Sequence, residues 1–254
     1  MKTLLIVNAD DCNLTPGVTQ AILDCHDEGI LTSTTFMINL PVESKTIREI
    51  KKRKNLGVGI HLNVTLAEPV SKSSKIRSLL ADGGRFKKLK EQLNHLPKAA
   101  ELAIEYQSQI DLFKRIFARR ATHLDTHHQV HGHPFFLNVL MQVAKQNHLP
   151  IRRSCLMPTL QNQQQKIKTT DFFFGNLTPE GYWRPGPLET VLAHLPEGVS
   201  EIMCHPGRND SDLKKISSFT TGREHEYRLF SSPRLKKEIA RLPLQPTHYG
   251  LCYT

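Results

Sequence analysis

The sequence predicts an α/β fold of the (β/α) barrel type. Short apolar runs rich in β-branched residues alternate with amphipathic helical stretches, which is typical of parallel βα units rather than separate α and β regions. Four of the apolar runs end in carboxylates or histidines. In a barrel of this class the carboxyl ends of the strands meet at one mouth, where active sites form. We therefore expect one functional site at that mouth.

The first strand is predicted over Thr3–Ala9, and two adjacent carboxylates, Asp10 and Asp11, follow it directly. Like charges so close together disfavour each other's ionisation unless a cation or a base lies nearby. The simpler alternative is that these acids cap the next helix, which is expected over Val18–Glu28. The strand ends further along the chain weigh against that alternative.

A second strand is predicted at Thr34–Ile38 and a third at Leu56–Asn63, with a basic helix between them. The two-residue period of the third strand places His61 and Asn63 on the same face as two glycines. Small residues on one face suit the crowded interior of a small barrel, so His61 is expected to point inward near the carboxyl end. A core histidine with a satisfied hydrogen bond is the alternative.

Periodicity fades between residues 66 and 100, and a strong helical pattern returns over Glu101–Phe117. An insertion of this length after a strand is usually a lid or a binding loop, with disorder as the alternative. We expect a lid over 66–100.

The densest polar stretch of the chain, Thr122–His131, forms the predicted fourth strand. On a strand, His123, Asp125 and His127 would share one face. If the chain turns helical after His127, then His127 and His131 become neighbours at positions i and i+4. Either geometry gathers nitrogen ligands and a carboxylate, which indicates a metal or acid-base site.

The second half of the chain continues the alternation. We expect a helix at Pro134–Asn147, a strand near 149–153, a loop at 161–165, a strand at Glu201–Cys204 and a closing strand at Thr247–Tyr253. A buried arginine near 152 would need an anionic or carbonyl partner. The phenylalanines at 172–174 are expected in the core. His205 directly follows its strand and adds another histidine to the strand ends.

Composition indicates which partners and which cellular compartment to expect. The net charge of +10 is spread along the chain, and no basic stripe interleaves with aromatics, so a nucleic-acid partner is not expected. No apolar run approaches a membrane span, and no basic-then-apolar leader precedes the first strand. The five cysteines form no C-x-x-C pair, which favours a reducing compartment. We expect a cytoplasmic protein with no membrane association.

One carboxylate and two neutral imidazoles make a three-ligand set that leaves coordination positions open for water and substrate. With two acids at the end of the first strand, Asp10 is left over as a natural general base for that water. The strand ends thus predict a metal site with an open position for water and a general base beside it.

The sequence resembles the YdjC-like carbohydrate (chitooligosaccharide) deacetylase family. The motifs that carry this resemblance occur in family order and run nearly from end to end: Asn8–Asp11, Leu31–Thr35, Gly57–Asn63, Thr122–His128, Pro150–Arg152 and Met203–Gly207. Two departures are Cys12-Asn13, where the family usually has Phe-Gly, and Gln129, where a third histidine is common.

The resemblance implies a single-domain barrel over residues 1–254, related to the TIM fold but with fewer regular strands. It also implies metal-dependent removal of the acetyl group from an N-acetylated mono- or oligosaccharide. If the functional residues of the family are assigned to the matching positions, Asp11, His61 and His127 would hold the metal. Asp10 would then be the base, and His205 would lie in the pocket. Five further residues are expected to support the ligands or contact the substrate: Asn63, Asp125, His128, His131 and Arg152.

Four points stay open at this stage. The resemblance favours Mg²⁺, whereas two imidazoles and one carboxylate favour Zn²⁺. His205 is expected to protonate the leaving amine, with a structural histidine beside Pro206-Gly207 as the alternative. The rival functions are a metal-dependent phosphoesterase and a sugar-binding barrel without catalysis. The oligomeric state is undetermined, with a homodimer as one alternative.

Overall fold

A computed structural model describes residues 2–156, 167–175 and 181–253 of the chain. Its strands are β1 (Thr3–Cys12), β2 (Ser33–Phe36), β3 (Gly57–Leu62), β4 (Leu124–Thr126), β5 (Phe172–Phe174), β6 (Gly198–Cys204) and β7 (Leu244–Pro246). Its α-helices are α1 (Pro16–Asp27), α2 (Ser44–Lys52), α3 (Leu89–Asn94), α4 (Ala99–Phe117), α5 (Pro134–Asn147), α6 (Pro185–Ala193), α7 (Ser211–Ile216), α8 (Thr221–Phe230), α9 (Pro233–Ile239) and α10 (Tyr249–Cys252). Three 3₁₀ turns cover Ser73–Lys75, Arg77–Leu79 and His127–Gly132.

The strands of the described chain form one sheet in the order β4-β3-β2-β1-β6-β5, and β7 also pairs with β1. The pairs of β1 with β2, β6 and β7 are parallel, as are β3 with β4 and β5 with β6. On one edge of β1, Thr3–Leu5 pairs with β7 and Asn8–Cys12 with β2. This confirms the predicted α/β fold, a TIM-like (β/α) barrel with fewer than eight regular strands.

The chain forms two compact units. The first comprises Met1–Phe36, Arg48–Val58 and Thr170–Thr254, and its core includes the buried β1 side chains Ile6 and Val7.

The second unit comprises Met37–Ile47 and Gly59–Thr169. Its core includes Phe113 and Phe117 of α4, whose rings stack with centroids 4.2 Å apart. The expectation of one domain over 1–254 stays a prediction.

The first helix begins as its capping signals indicate. Thr15 is the N-cap and accepts a hydrogen bond from the Val18 amide at 3.2 Å, and Pro16 occupies the first turn. Because Thr15 caps this helix, the alternative role of Asp10 and Asp11 as its caps is wrong.

The segment 66–100 is folded within the second unit. Buried Glu105 accepts hydrogen bonds from the amides of Val70 and Ser71 at 3.0 and 2.9 Å and thereby anchors the segment to α4. A bridge between Leu80 and Phe86 closes the turn at Asp82-Gly83-Gly84. The role of this segment as a lid stays a prediction.

Two predictions for the second half are wrong. The closing strand is Leu244–Pro246 rather than 247–253, because His248 accepts from the Gly250 amide and starts helix α10. The phenylalanines at 172–174 form β5 instead of filling the core, and Phe172 is 37% exposed.

The remaining segments differ in extent. Only Ile151 of the predicted strand near 149–153 pairs with another strand, through a bridge to Leu124. The predicted loop at 161–165 lies outside the described residues. Among the helices of the described chain, none combines the length and apolarity that a membrane span requires.

Gly29→Ala is expected to destabilise the fold. A Cβ at Gly29 would lie 1.8 Å from the carbonyl oxygen of Phe230, so the backbones of α1 and α8 would have to separate. Overpacking of this kind lowers the free energy of unfolding by about 1–3 kcal/mol. In a chain of this size each kcal/mol lowers the Tm by roughly 2–4 °C. Thermal unfolding followed by circular dichroism measures the change.

The matched control is Gly186→Ala in α6. A Cβ there would meet no described atom within 4 Å, so unchanged or slightly higher stability is expected. Equal melting temperatures for the two variants would contradict the close approach at Gly29.

Candidate metal centre

The carboxyl end of β1 is irregular at its two acids. The register between β1 and β2 shifts between Ala9 and Cys12, and Asp11 has a φ of 65°, in the left-handed region that non-glycine residues rarely adopt. Bulges in a strand re-aim side chains and are frequent beside active sites. Asp10 and Asp11 are both buried, with exposures of 1% and 2%. Backbone strain and two buried acids therefore coincide at this strand end.

Asp10 lies beside a neutral donor and a histidine. The side-chain amide of Asn8 donates to Oδ1 of Asp10 at 3.0 Å, and Nε2 of His205 lies 3.8 Å from its Oδ2. Asn8 and Asp10 share a face of β1 because they are two residues apart. One carboxylate oxygen of Asp10 is thus fixed by Asn8 while the other faces His205, an arrangement suited to proton transfer.

Asp11 forms a buried ion pair. Nη2 of Arg223, in α8, donates to Oδ2 of Asp11 at 2.5 Å, and both side chains are buried. A buried charge is retained only when an opposite charge or hydrogen bonds compensate its lost hydration. Arg223 provides that compensation within the first unit.

Glu226, one helical turn after Arg223, holds the backbone around His205. Its carboxylate accepts from the His205 amide at 2.5 Å and from the Trp183 amide at 2.9 Å, and it is fully buried. The Trp183 indole in turn donates to the Met203 carbonyl at 2.7 Å. These bonds fix the end of β6 and so the position of His205.

Burial raises the pKa of Glu226 from 4.5 to about 7. The two backbone amides and the charge of Arg223 oppose that shift, whereas the charge of Asp10 adds to it. This carboxyl group therefore titrates close to neutrality.

In the second unit, His61 and Asp125 stand side by side on paired strands. They are direct partners in the register of β3 and β4, and Nδ1 of His61 lies 2.7 Å from Oδ1 of Asp125. A carboxylate on one imidazole nitrogen fixes the tautomer and turns the other nitrogen toward a metal, as is common in metal sites. Nε2 is accordingly the nitrogen through which His61 would bind a metal.

Arg152 compensates the charge of Asp125. Its Nη1 lies 3.0 Å from Oδ2 of Asp125, and both side chains are 0% exposed. The expectation that a buried arginine here needs an anionic partner is confirmed. His61, Asp125 and Arg152 form a chain of charge-assisted hydrogen bonds.

The histidines after β4 lie on a tight 3₁₀ turn, so neither the extended nor the α-helical alternative describes them. His128 and Gln129 both have positive φ, at 55° and 48°. The ring of His127 is edge-on to that of His61, with centroids 5.4 Å apart, and His128 stacks on His127 at 3.9 Å. Strained backbone again coincides with ligand-type side chains.

Three other candidates make hydrogen bonds within the second unit. Nδ1 of His128 bonds with Thr65 Oγ1 at 2.9 Å, and Nδ1 of His131 bonds with Thr126 Oγ1 at 2.5 Å. Oδ1 of Asn63 accepts from the amides of Thr65 and Leu66, at 3.0 and 3.1 Å, and shapes the turn after β3. Their roles toward a ligand or substrate stay predictions.

A potential metal-binding set is present among the described residues. Asp11 of the first unit and His61 and His127 of the second unit are all buried. Their donors, one carboxylate and two imidazoles, are of the kind that binds a single divalent metal ion.

Sequence reasoning did not identify Asn8 as a partner of Asp10, or Arg223 and Glu226 as part of this site. Arg223 and Glu226 lie in a charged run, Thr221–Arg228, that resembles a solvated surface. Their three-residue spacing, with Phe230 four residues further, is the signal that could have indicated a buried helix face.

Comparison with known proteins supports one family. A sequence profile of the family described as YdjC-like protein matches residues 4–241. The chain belongs to the YdjC-like family. Most of the chain, including the carboxyl ends of β1, β3, β4 and β6, falls within this match.

Several bacterial relatives are named carbohydrate deacetylase. The protein from Brevibacillus brevis is 34% identical over 242 residues, covering 92% of this chain and 94% of that protein. The protein from Vibrio parahaemolyticus is 32% identical, covering 97% and 95% of the two chains. The protein from Thermoanaerobacter pseudethanolicus is 30% identical, covering 97% and 98%.

Solved structures share the fold. A protein of Enterococcus faecalis, provisionally described as a cellobiose-phosphate cleavage protein, superposes with a TM-score of 0.89 at 28% identity and covers 100% of both chains. A CE4 esterase of Streptococcus mutans superposes with a TM-score of 0.51 at 14% identity, covering 97% of this chain and 86% of that one. The second likeness concerns the fold alone.

Glu226→Gln is expected to flatten the dependence of stability on pH. The folded-state pKa of about 7 lies above the ordinary 4.5, so the folded protein binds this proton more tightly than the unfolded chain. The resulting stabilisation is full below the ordinary pKa and is lost as the pH rises through the folded-state pKa. The free energy of unfolding that is lost over this pH range is about 3 kcal/mol. Glutamine does not titrate, so the variant should not show this loss.

Urea unfolding at about pH 5 and pH 8, in chelator, measures the difference for each variant. Glu224→Gln, on the same helix but paired with exposed Arg228, is the control and should keep the wild-type slope. An unchanged slope in Glu226→Gln would show that Glu226 does not titrate in this range.

Proposed function

We propose that this protein is a metal-dependent hydrolase that removes the acetyl group from N-acetylated mono- or oligosaccharides. Family membership and the names of its relatives identify the chain as a carbohydrate deacetylase. The observation that carries the finer proposal is the donor set of three buried side chains, Asp11 in the first unit and His61 and His127 in the second. An enzyme that hydrolyses an amide at neutral pH needs an activated water, and this donor set fits the metal that activates one.

The proposed cofactor is one divalent ion held by Asp11, His61 and His127. We propose Mg²⁺ with Zn²⁺ as the alternative, since imidazole ligands favour zinc on chemical grounds. When bound, the ion supplies a Lewis acid that acidifies water and polarises the acetyl carbonyl. Metal analysis of the purified protein distinguishes the two ions.

The protein side chains carry the proton through the reaction. Asp10 accepts a proton from the attacking water as the new C–O bond forms; the Asn8 amide holds one of its oxygens, and the other faces His205. His205 then donates a proton to the departing nitrogen as the C–N bond breaks. The products are acetate and a free amino sugar. Within the first unit, the 3.8 Å separation of Asp10 and His205 fits this division into base and acid.

The rival functions are less well supported. A two-metal phosphoesterase requires bridging carboxylates, whereas Asp125 uses one oxygen on His61 and the other on Arg152. A sugar-binding barrel without catalysis would not need Asp10 beside His205. A cytoplasmic location forms part of the proposal, supported by five cysteines that are all free thiols.

One assay tests the reaction class. Acetate release from chitobiose and N-acetylglucosamine, compared with phosphate release from sugar phosphates and other phosphoesters, separates the enzyme alternatives. Chelator-sensitive acetate release is the expected result. Phosphate release alone, or sugar binding without either product, would contradict the proposal.

Asp10→Asn and His127→Ala are expected to separate catalysis from metal binding. Asp10→Asn should keep the metal and lose about two to four orders of magnitude in kcat, the usual contribution of a general base. His127→Ala should lose both metal and activity because it removes one of three ligands. Metal content by atomic emission, with folding checked by circular dichroism, gives the comparison. Full metal occupancy in His127→Ala would exclude it as a ligand.

His205→Ala is expected to keep the metal and lose the high-pH limb of the pH profile of kcat. A general acid must be protonated, so wild-type kcat should fall at high pH, and the variant should lose that limb together with most of its kcat. The pH dependence of kcat, measured with the metal content of each sample, tests this role. Loss of metal would make His205 a ligand, and wild-type kinetics would make it structural.

A further inference from the structure

Arg223 is placed so that its guanidinium directly contacts one carboxylate. It is 4% exposed; its Nη2 lies on Asp11 Oδ2 at 2.5 Å and its Nε donates to the Phe219 carbonyl at 3.1 Å. Among the described residues its Nη1 is buried without a hydrogen-bond partner. In the described part of the chain, Asp11 is the acid paired with this guanidinium. The guanidinium is therefore committed to Asp11 by direct contact.

The backbone around Arg223 keeps the guanidinium in place. The Gly207 amide donates to the Arg223 carbonyl at 3.0 Å, and a Cβ on Gly207 would lie 3.2 Å from Arg223 side-chain atoms. The guanidinium also lies 5.7 Å from the centre of the Phe219 ring. Arg223 is thus held between the turn after β6 and the loop before α8.

Asp11 has one carboxylate for two possible cations. A divalent ion bound to Asp11 would share that carboxylate with the guanidinium, and the two positive charges would repel each other at short range. Without a second cation, Arg223 is the charge that offsets the burial of Asp11 beside Asp10. The same side chain therefore favours the metal-free protein and opposes metal binding.

We propose that Arg223 is a built-in counter-ion for Asp11, which stabilises the metal-free chain and weakens the binding of the metal. The inference rests on the proposed role of Asp11 as a metal ligand. Its consequence is an exchangeable metal: the folded protein survives the loss of the ion, and the affinity is set below what the three ligands alone would give. Arg223 is a positioning residue here, not a catalytic one.

The test compares Arg223→Gln with Arg228→Gln. Glutamine keeps hydrogen-bonding capacity but removes the charge, and Arg228 is an exposed arginine on the same helix, paired with Glu224. Thermal unfolding in chelator and with saturating Zn²⁺ or Mg²⁺, together with calorimetric titration of each metal, gives stability and affinity independently of activity.

In chelator, Arg223→Gln is expected to melt on the order of 10 °C lower, because it removes the positive charge from a buried ion pair. Added metal should raise its Tm by more than that of the wild type, and its Kd for metal should fall about tenfold or more. Arg228→Gln should match the wild type in all three measurements. A weaker metal affinity in Arg223→Gln would overturn the proposal, since Arg223 would then only orient Asp11. An unchanged Tm in chelator would overturn it as well.

Two further variants keep the outcome decisive. If Arg223→Gln does not fold in chelator, Arg223→Lys is used instead, because lysine retains the charge. This variant should fold in chelator and bind metal no more tightly than the wild type; tighter binding would contradict the charge argument.

Asp11→Asn tests the proposed function separately. Wild-type metal affinity in Asp11→Asn would refute its role as a ligand, whereas loss of metal there with no tightening in Arg223→Gln refutes only the counter-ion.

Discussion

The burial of two adjacent carboxylates at the end of β1 is the constraint on which the rest of the site depends. Asp10 and Asp11 are nearly inaccessible to water, so each needs compensation within the protein. The chain supplies it differently for the two acids: a neutral amide and a histidine for Asp10, and a full positive charge for Asp11. This unequal environment allows neighbouring acids to have different functions.

The second unit also contains a buried carboxylate, Asp125, and compensates its charge through two partners. Asp125 is fully buried and divides its oxygens between His61 and Arg152, so the arginine offsets the charge while the histidine is oriented. A carboxylate that both orients an imidazole and is itself neutralised by arginine costs less than an unpaired one. Buried arginines thus balance the acids in both units: Arg223 with Asp11, and Arg152 with Asp125.

Local periodicity in the sequence predicted the features that neighbouring residues determine, and it failed where distant residues decide. The strand ends at Asp10, His61 and His205 were predictable because alternation fixes both the strand and its last inward side chain. Arg223 was not, since it pairs with a residue 212 positions away and its helix carries mostly charged neighbours. The wrong closing strand has a local cause: His248 caps a short helix, which an apolar and aromatic run does not indicate.

Helix α8 explains why this site depends on residues that no strand end carries. On one face and within one turn, Arg223 contacts Asp11 at the end of β1, and Glu226 holds the turn after β6. The two side chains also influence each other, because the charge of Arg223 lowers a Glu226 pKa that burial and Asp10 raise. Strand ends place candidate ligands and bases at one edge of a sheet. The charged helix α8 adds what the strand ends cannot: an arginine that pairs with Asp11 and a glutamate that holds the backbone of His205.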